Sequence, residues 1–267
     1  MSQSINEWSG REVLITGATS GIGLAFAQRL AAVGAELILT ARSLDRLTAT
    51  ADQLRAEFDP PRPIHLFAAD LATPSGPAQL VGALREAGRR VDLLINNAGF
   101  GLAGEFATQQ PDRQLEMIQL NVVSLVALTR LLLPAMIERR AGAIIQVASM
   151  AAFQGVPWLA LYAGTKAMVM NFTEGLAHEC RPHGVRVMAL CPGPTTSAFH
   201  TTAGAAPRGS GREMMSAEEV VDYALTQLAR GRTLAIPGTA NRLTLLFERF
   251  APRSLVTRAA ARLYQPE

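Results

Sequence analysis

The segment Val13-Leu14-Ile15-Thr16-Gly17-Ala18-Thr19-Ser20-Gly21-Ile22-Gly23 decides how the chain folds. Val13-Leu14-Ile15 reads as a buried strand, and it runs into a turn bounded by Gly17 and Gly23. A helical pattern follows from Leu24 to Val33, and Gly34 stops it. Glycines in such a turn let the backbone bend tightly and approach a pyrophosphate. The free N–H groups and the dipole of the helix N-terminus attract that anion. Three residues separate the first two glycines, so the spacing differs from GxGxxG, and the turn alone also fits an ordinary glycine-rich βα connection.

The same alternation continues outward. Glu36 to Thr40 is a strand, Leu44 to Phe58 a charged-faced helix, and Pro60, Pro61 and Pro63 break it before the strand Ile64 to Phe67. Leu80 to Ala87 reads as a helix and Val91 to Ile95 as a strand running into Asn96-Asn97-Ala98-Gly99. Pro111 can open a long helix reaching Arg140, with a bend expected at Pro134. Ala143 to Val147 is a fifth strand, Leu161 to Glu179 a helix, and Val185 to Leu190 a sixth strand. A helix at Ala217 to Ala229 and a last strand at Thr233 to Ile236 follow, after a flexible-looking stretch from Thr201 to Gly211. Apolar strands separated by helices imply an α/β fold: a parallel sheet with right-handed crossovers and helices on both faces. The expected organisation is one domain over residues 1–240, with residues 241–267 as its basic amphipathic extension.

Composition narrows the classes of function. Of 267 residues, 49% are hydrophobic and 18% charged, against a usual charged share of roughly 25%. This favours a deep core over disorder. Twenty-five basic and twenty-two acidic residues give a net charge of +3 without clustered lysines, so no nucleic-acid partner is expected. Cys180 and Cys191 suit a reducing compartment, and the polar stretch Met1 to Trp8 has no signal-peptide core, so a cytoplasmic protein is expected. The apolar stretch Val122 to Ile137 is interrupted by Thr129 and Arg130 and is too short to span a bilayer. No metal site is expected: His178-Glu179 and His183 lack the i,i+4 geometry of a zinc protease. Cys191 beside Pro192 reads as a small buried hydrophobe rather than a nucleophile.

Taken together, the glycine turn, Asn96-Asn97-Ala98-Gly99, Ser149 and Tyr162-x-x-x-Lys166 resemble the short-chain dehydrogenase/reductase family. The resemblance runs from about Arg11 to Ser197, and Ser149 precedes Tyr162 by thirteen residues, the family's usual spacing. It implies a doubly wound, Rossmann-type sheet of seven parallel strands in the order 3-2-1-4-5-6-7, with a nicotinamide cofactor at their carboxyl ends. The implied cofactor contacts are Gly17, Thr19, Ser20, Gly21, Ile22 and Gly23 at the phosphates, and Asp70 and Leu71 near the adenine. Asn97, Ala98, Gly99, Tyr162 and Lys166 continue the set, and Pro192, Gly193 and Thr195 lie beside the carboxamide. Asp70 also fits a cap for the segment starting near Pro74. The chain departs mildly from the family at Thr195, where a hydrophobic residue is common, and at Ser197, where a threonine is common.

The second strand ends Thr40-Ala41-Arg42, without the carboxylate that an NAD site of this type uses on the ribose. Arg42 can instead pair bidentately with a 2′-phosphate, and Arg46 adds a second charge, so NADP(H) is expected. The alternative is that Arg42 merely opens a solvated helix.

Tyr162 and Lys166 are four apart and share one helix face. Lowering a phenol from about 10 to near 7 needs roughly 4 kcal/mol. One ammonium at about 4 Å supplies that order of energy at an effective dielectric near 20. Ser149 can donate to the substrate oxygen, and the resemblance implies that Asn121 supports a water linked to Lys166. The implied chemistry is hydride transfer between nicotinamide and a carbonyl or secondary alcohol, with Tyr162 as acid, most simply a keto reductase acting on a small molecule. The alternative is an NADP-binding regulator or scaffold without turnover. Phe153, Trp158 and Phe199 fall in segments that flank the substrate in this family, and a homodimer or homotetramer is expected.

In the tail, Arg242, Arg249, Arg253, Arg258 and Arg262 alternate with apolar residues, predicting two amphipathic helices hinged at Pro252. Their apolar stripe packs on the domain or a sister subunit, or else meets an anionic membrane surface or a lipid-like substrate.

Overall fold

Seven parallel strands form one sheet: β1 (Glu12–Thr16), β2 (Glu36–Ala41), β3 (Ile64–Ala68), β4 (Leu93–Asn96), β5 (Gly142–Val147), β6 (Val185–Leu190) and β7 (Leu234–Ala235). Their spatial order is β3-β2-β1-β4-β5-β6-β7, the expected one. The computed structural model describes residues 3–196 and 214–264. The order reverses where β1 pairs with β4, Leu14 opposite Leu94. At such a switch point the crossovers leave to opposite faces and open a crevice at the carboxyl ends.

The helices are α1 (Gln3–Asn6), α2 (Gly21–Ala32), α3 (Leu44–Phe58), α4 (Gly76–Glu86), α5 (Pro111–Ile118), α6 (Leu125–Glu138), α7 (Ala160–Cys180), α8 (Ala217–Ala229), α9 (Thr239–Glu248) and α10 (Arg253–Tyr264). Alternation along each strand divides the core between two faces. Val13, Ile15, Leu37 and Leu39 pack with Phe26 and Leu30 of α2, Leu47 and Leu54 of α3, and Val220 and Leu225 of α8. Leu14, Ile38, Leu94 and Ile144 pack with Leu80 and Leu84 of α4 and Leu128 and Met136 of α6. Each buried side chain of this size contributes about 1.5–3 kcal/mol, and this double burial makes the strands read as continuous apolar runs.

Three of the departures from the sequence signals have a clear physical cause or consequence. Helix α4 starts at Gly76 instead of Leu80, because Pro77 in its first turn needs no N–H partner. Strand β4 starts at Leu93 instead of Val91, since the Asp92 carboxylate turns to accept from the Glu12 N–H at 3.2 Å. The long helix leaves α geometry in a π-helical turn at Gln119–Ser124, and α6 continues through Pro134. The joined run Pro111–Glu138 is long and apolar enough by composition to cross a membrane, yet it packs Leu128 and Met136 onto the sheet.

Candidate active site

At the switch point the tips of β1 and β4 are clasped through Thr16 and Asn97. The Thr16 hydroxyl donates to the Ile95 carbonyl at 3.3 Å and accepts from the Asn97 and Ala98 N–H groups at 2.9 Å each. Asn97 Nδ2 donates to the carbonyls of Thr16 at 2.9 Å and Gly17 at 3.2 Å. This clasp explains two of the glycines. Gly17 has φ +65°, and a Cβ there would lie 3.0 Å from Asn97 Nδ2 and 3.1 Å from Ala98 Cα. A Cβ on Gly23 would lie 2.3 Å from the Gly17 oxygen. Gly17, Thr19, Ser20, Gly21 and Ile22 line the cleft, whereas Gly23 does not. Gly23 packs directly behind Gly17. Ser20, at the cap of α2, makes no side-chain capping bond, so the first N–H groups of that helix have no cap partner and suit a phosphate.

Beyond the turn the rim is cationic. The Arg42 side chain is 71% exposed, with its guanidinium 3.8 Å from Glu116, and Arg46 donates to the Thr19 carbonyl at 3.4 Å. Arg113 pairs with Glu116 and stacks 4.6 Å from the Phe100 ring centroid. The Thr40 hydroxyl is buried at this wall without a hydrogen-bond partner in the protein. Asp70 and Leu71 also line the cleft. The Asp70 carboxylate accepts from the Ala72 N–H at 3.0 Å, and its carbonyl accepts from Thr73 Oγ1 at 2.9 Å. That is an Asx turn ahead of α4, whose cap position is Ser75.

The opposite end holds the candidate catalytic groups. Ser149 follows β5, accepts from the Ala151 N–H at 3.1 Å, and keeps its own O–H proton to donate. Tyr162 and Lys166 lie on the buried face of α7, 7% and 5% exposed. The Lys166 ammonium donates to the Val147 carbonyl at 2.7 Å and sits 5.8 Å from the Tyr162 ring centroid. Burial lowers the Lys166 ammonium from its usual value to about 8.

Asn121 lies on the π-helical turn, buried behind Gly99 rather than on the cleft wall. A Cβ on Gly99 would lie 2.8 Å from Asn121 Oδ1 and 3.6 Å from Lys166 Nζ. Asn121 reaches the Phe100 backbone and Thr165 Oγ1, and Thr165 in turn donates to the Tyr162 carbonyl at 2.7 Å.

Pro192, Gly193 and Thr195 line the same end. The Pro192 carbonyl accepts from the Met150 N–H at 2.9 Å, which ties this loop to the one bearing Ser149. Cys191, just before it, is buried, and burial pushes its thiol up to about 12, which leaves it protonated and inert. Phe153 packs into the core beside Val169, and Trp158 borders a smaller hollow with Phe106, so neither lines the cleft. Ser197, Phe199 and the Thr201 to Gly211 stretch lie outside the described residues.

The phosphate turn, Arg42, Arg46, Asp70, Ser149, Tyr162, Lys166, Pro192, Gly193 and Thr195 border one cavity of about 1380 Å³. Sequence reasoning missed part of its wall: Asn241, Phe247, Leu255 and Val256, from the two C-terminal helices. The helical apolar stripe of the tail was the one available signal, and it did not say what the stripe would cover.

The chain matches the family described as short chain dehydrogenase over residues 11–207. Sulfoacetaldehyde reductase of Chromohalobacter salexigens is 40% identical over 190 residues, which cover 70% of this chain and 73% of that protein. A short-chain dehydrogenase from Sphingobium yanoikuyae in complex with NADPH superposes with a TM-score of 0.80 at 34% identity, covering 92% of this chain and 95% of that one. A short-chain dehydrogenase/reductase from Burkholderia phymatum in complex with NAD gives a TM-score of 0.81 at 25% identity, covering 92% and 97%.

Proposed function

The chain belongs to the short-chain dehydrogenase/reductase family, and from that premise we propose that it is an NADP(H)-dependent reductase of a carbonyl compound. The observation that carries this reading is one cleft with Ser149, Tyr162 and Lys166 at one end and Arg42 and Arg46 at the other. Arg42 and Arg46 supply two guanidinium groups beside the uncapped start of α2, a donor set that fits a phosphorylated ribose and pyrophosphate. The NADPH bound by the Sphingobium relative supports the choice of cofactor, although the Burkholderia relative holds NAD. Here the choice rests on Arg42, in the position where an NAD site of this type carries an acid.

Bound NADPH supplies the hydride. Tyr162 gives its phenolic proton to the developing alkoxide, and Ser149 donates a hydrogen bond to the same oxygen. Lys166, fixed on the Val147 carbonyl, stabilises the phenolate that remains. Asn121 acts at one remove, holding Phe100 and Thr165 around that lysine.

We also read the chain as a homo-oligomer, because Leu115, Val123 and Met168 expose 64%, 46% and 40% of their surface along α5, the π-helical turn and α7. Loss of NADPH absorbance over a panel of ketones and aldehydes tests the function. Carbonyl-dependent oxidation is expected, and none across the panel would contradict the reading.

A further inference from the structure

The last two helices wall the catalytic end of the cleft. A Cβ on Gly193 would lie 2.6 Å from Asn241 Nδ2, and one on Gly155 would lie 3.6 Å from Thr257 Oγ1. Gly193 follows β6 and Gly155 follows β5, so α9 and α10 rest on the two loops that flank Ser149 and Tyr162. Beside the polar Asn241, Thr244 and Glu248, they bring apolar side chains: Phe247, Leu255, Val256 and Ala259 join Val156 and Leu159 in the lining. Phe247 and Leu255 remain 72% and 57% exposed. Large apolar side chains left open at a cavity wall gain when a ligand covers them.

The charges point the same way. Among the described residues that line the cleft, Arg42, Arg46, Asp70 and Glu116 border its adenosine end. Arg113 is paired with Glu116, and Lys166 is bound to the Val147 carbonyl. A small anionic carbonyl compound would find, among the described residues of this end, no cation other than Lys166, which the Val147 carbonyl already holds.

Building on the reductase reading, we infer that the substrate is a bulky, uncharged, predominantly apolar ketone, and that Phe247 and Leu255 are the residues that select for its bulk. Covering one such side chain favours binding about 10- to 100-fold.

The experiment compares three probes with NADPH: a phenyl-substituted cyclohexanone, cyclohexanone itself, and sulfoacetaldehyde as the small anionic carbonyl. Wild type should show kcat/KM at least tenfold higher for the phenyl ketone than for cyclohexanone, and the lowest value for sulfoacetaldehyde. The pair Phe247→Ala and Leu255→Ala should cut the phenyl-to-plain ratio at least fivefold, mainly through KM, with an unchanged melting temperature as the control for folding. Equal rates for the two ketones, preference for sulfoacetaldehyde, or an unaltered ratio in the variant would overturn the inference. Should no probe be reduced, the reductase reading falls, and calorimetric binding of the two ketones to NADPH-loaded protein decides the inference separately. Tighter binding of the phenyl ketone that the double variant loses sustains it. Equal binding, or none, overturns it.

Discussion

Asn121 closes a ring of two hydrogen bonds with the Phe100 backbone: Nδ2 donates to the Phe100 carbonyl at 2.9 Å, and Oδ1 accepts from the Phe100 N–H at 3.1 Å. The ring joins the π-helical turn to the loop after β4, and Nδ2 extends it to Thr165 Oγ1 at 3.2 Å. Such turns recur where a helix must carry a functional group. Asn121→Leu keeps the volume and leaves the Phe100 backbone groups buried without partners, at a cost of about 1–3 kcal/mol each. Thermal unfolding should therefore fall by roughly 5–15 °C, and kcat should drop more than NADPH affinity. An unchanged melting temperature would show that the ring contributes nothing.

Tyr162→Phe removes the acid and keeps the ring. Turnover should fall about 10²–10⁴-fold, while NADPH affinity, measured by fluorescence titration, stays within about twofold. Full activity in this variant would exclude Tyr162 as the proton donor.

Arg42→Ala should weaken NADPH about tenfold and leave NADH nearly unchanged, because only the phosphorylated ribose loses a charge-assisted contact. The lower end of the usual range is expected, since Arg42 is 71% exposed and Glu116 lies 3.8 Å away. Titration of both cofactors checks this, and equal affinities in the wild type would contradict it.

Lys166 also sets a stability profile. Burial lowers it from 10.5 to about 8, so the folded chain disfavours the ammonium. Below pH 8 folded and unfolded chains both carry the proton, and the full burial cost, about 3 kcal/mol, weakens the fold. From pH 8 to about 10.5 the unfolded chain holds a proton that the folded one has released, so stability rises with pH. Lys166→Met removes this titration. Denaturant unfolding should find the variant more stable near neutral pH, by less than that figure because the bond to Val147 is lost, with the gap closing by pH 10.5. A gap independent of pH would contradict the assigned cause.

Much of the fold was legible because the physics that forms it is local. The strand Val185–Leu190 and the helices Leu44–Phe58 and Ala217–Ala229 end where the apolar pattern and the breakers put them. The start of α4 was hidden because Gly76-Pro77 reads as a stop, although proline is tolerated in a first turn. The π-helical turn left no trace in helical periodicity. At the site, motif spacing pointed to the residues that meet in the cleft. It did not separate the glycine that lines it, Gly17, from the one that packs behind, Gly23. The wall built by Phe247 and Leu255 depends on where a distant helix docks, and a one-dimensional pattern does not encode that.

Hydride transfer is the central claim, and isotope transfer tests it most directly. NADPH carrying two deuterium atoms at the reactive carbon of its nicotinamide ring is incubated with the enzyme and a ketone that it reduces, and the alcohol is analysed by mass spectrometry and NMR. The account predicts one deuterium at the carbinol carbon, with its rate of appearance lost in Tyr162→Phe. Alcohol formed without deuterium at that carbon, or formed equally fast by Tyr162→Phe, would contradict it.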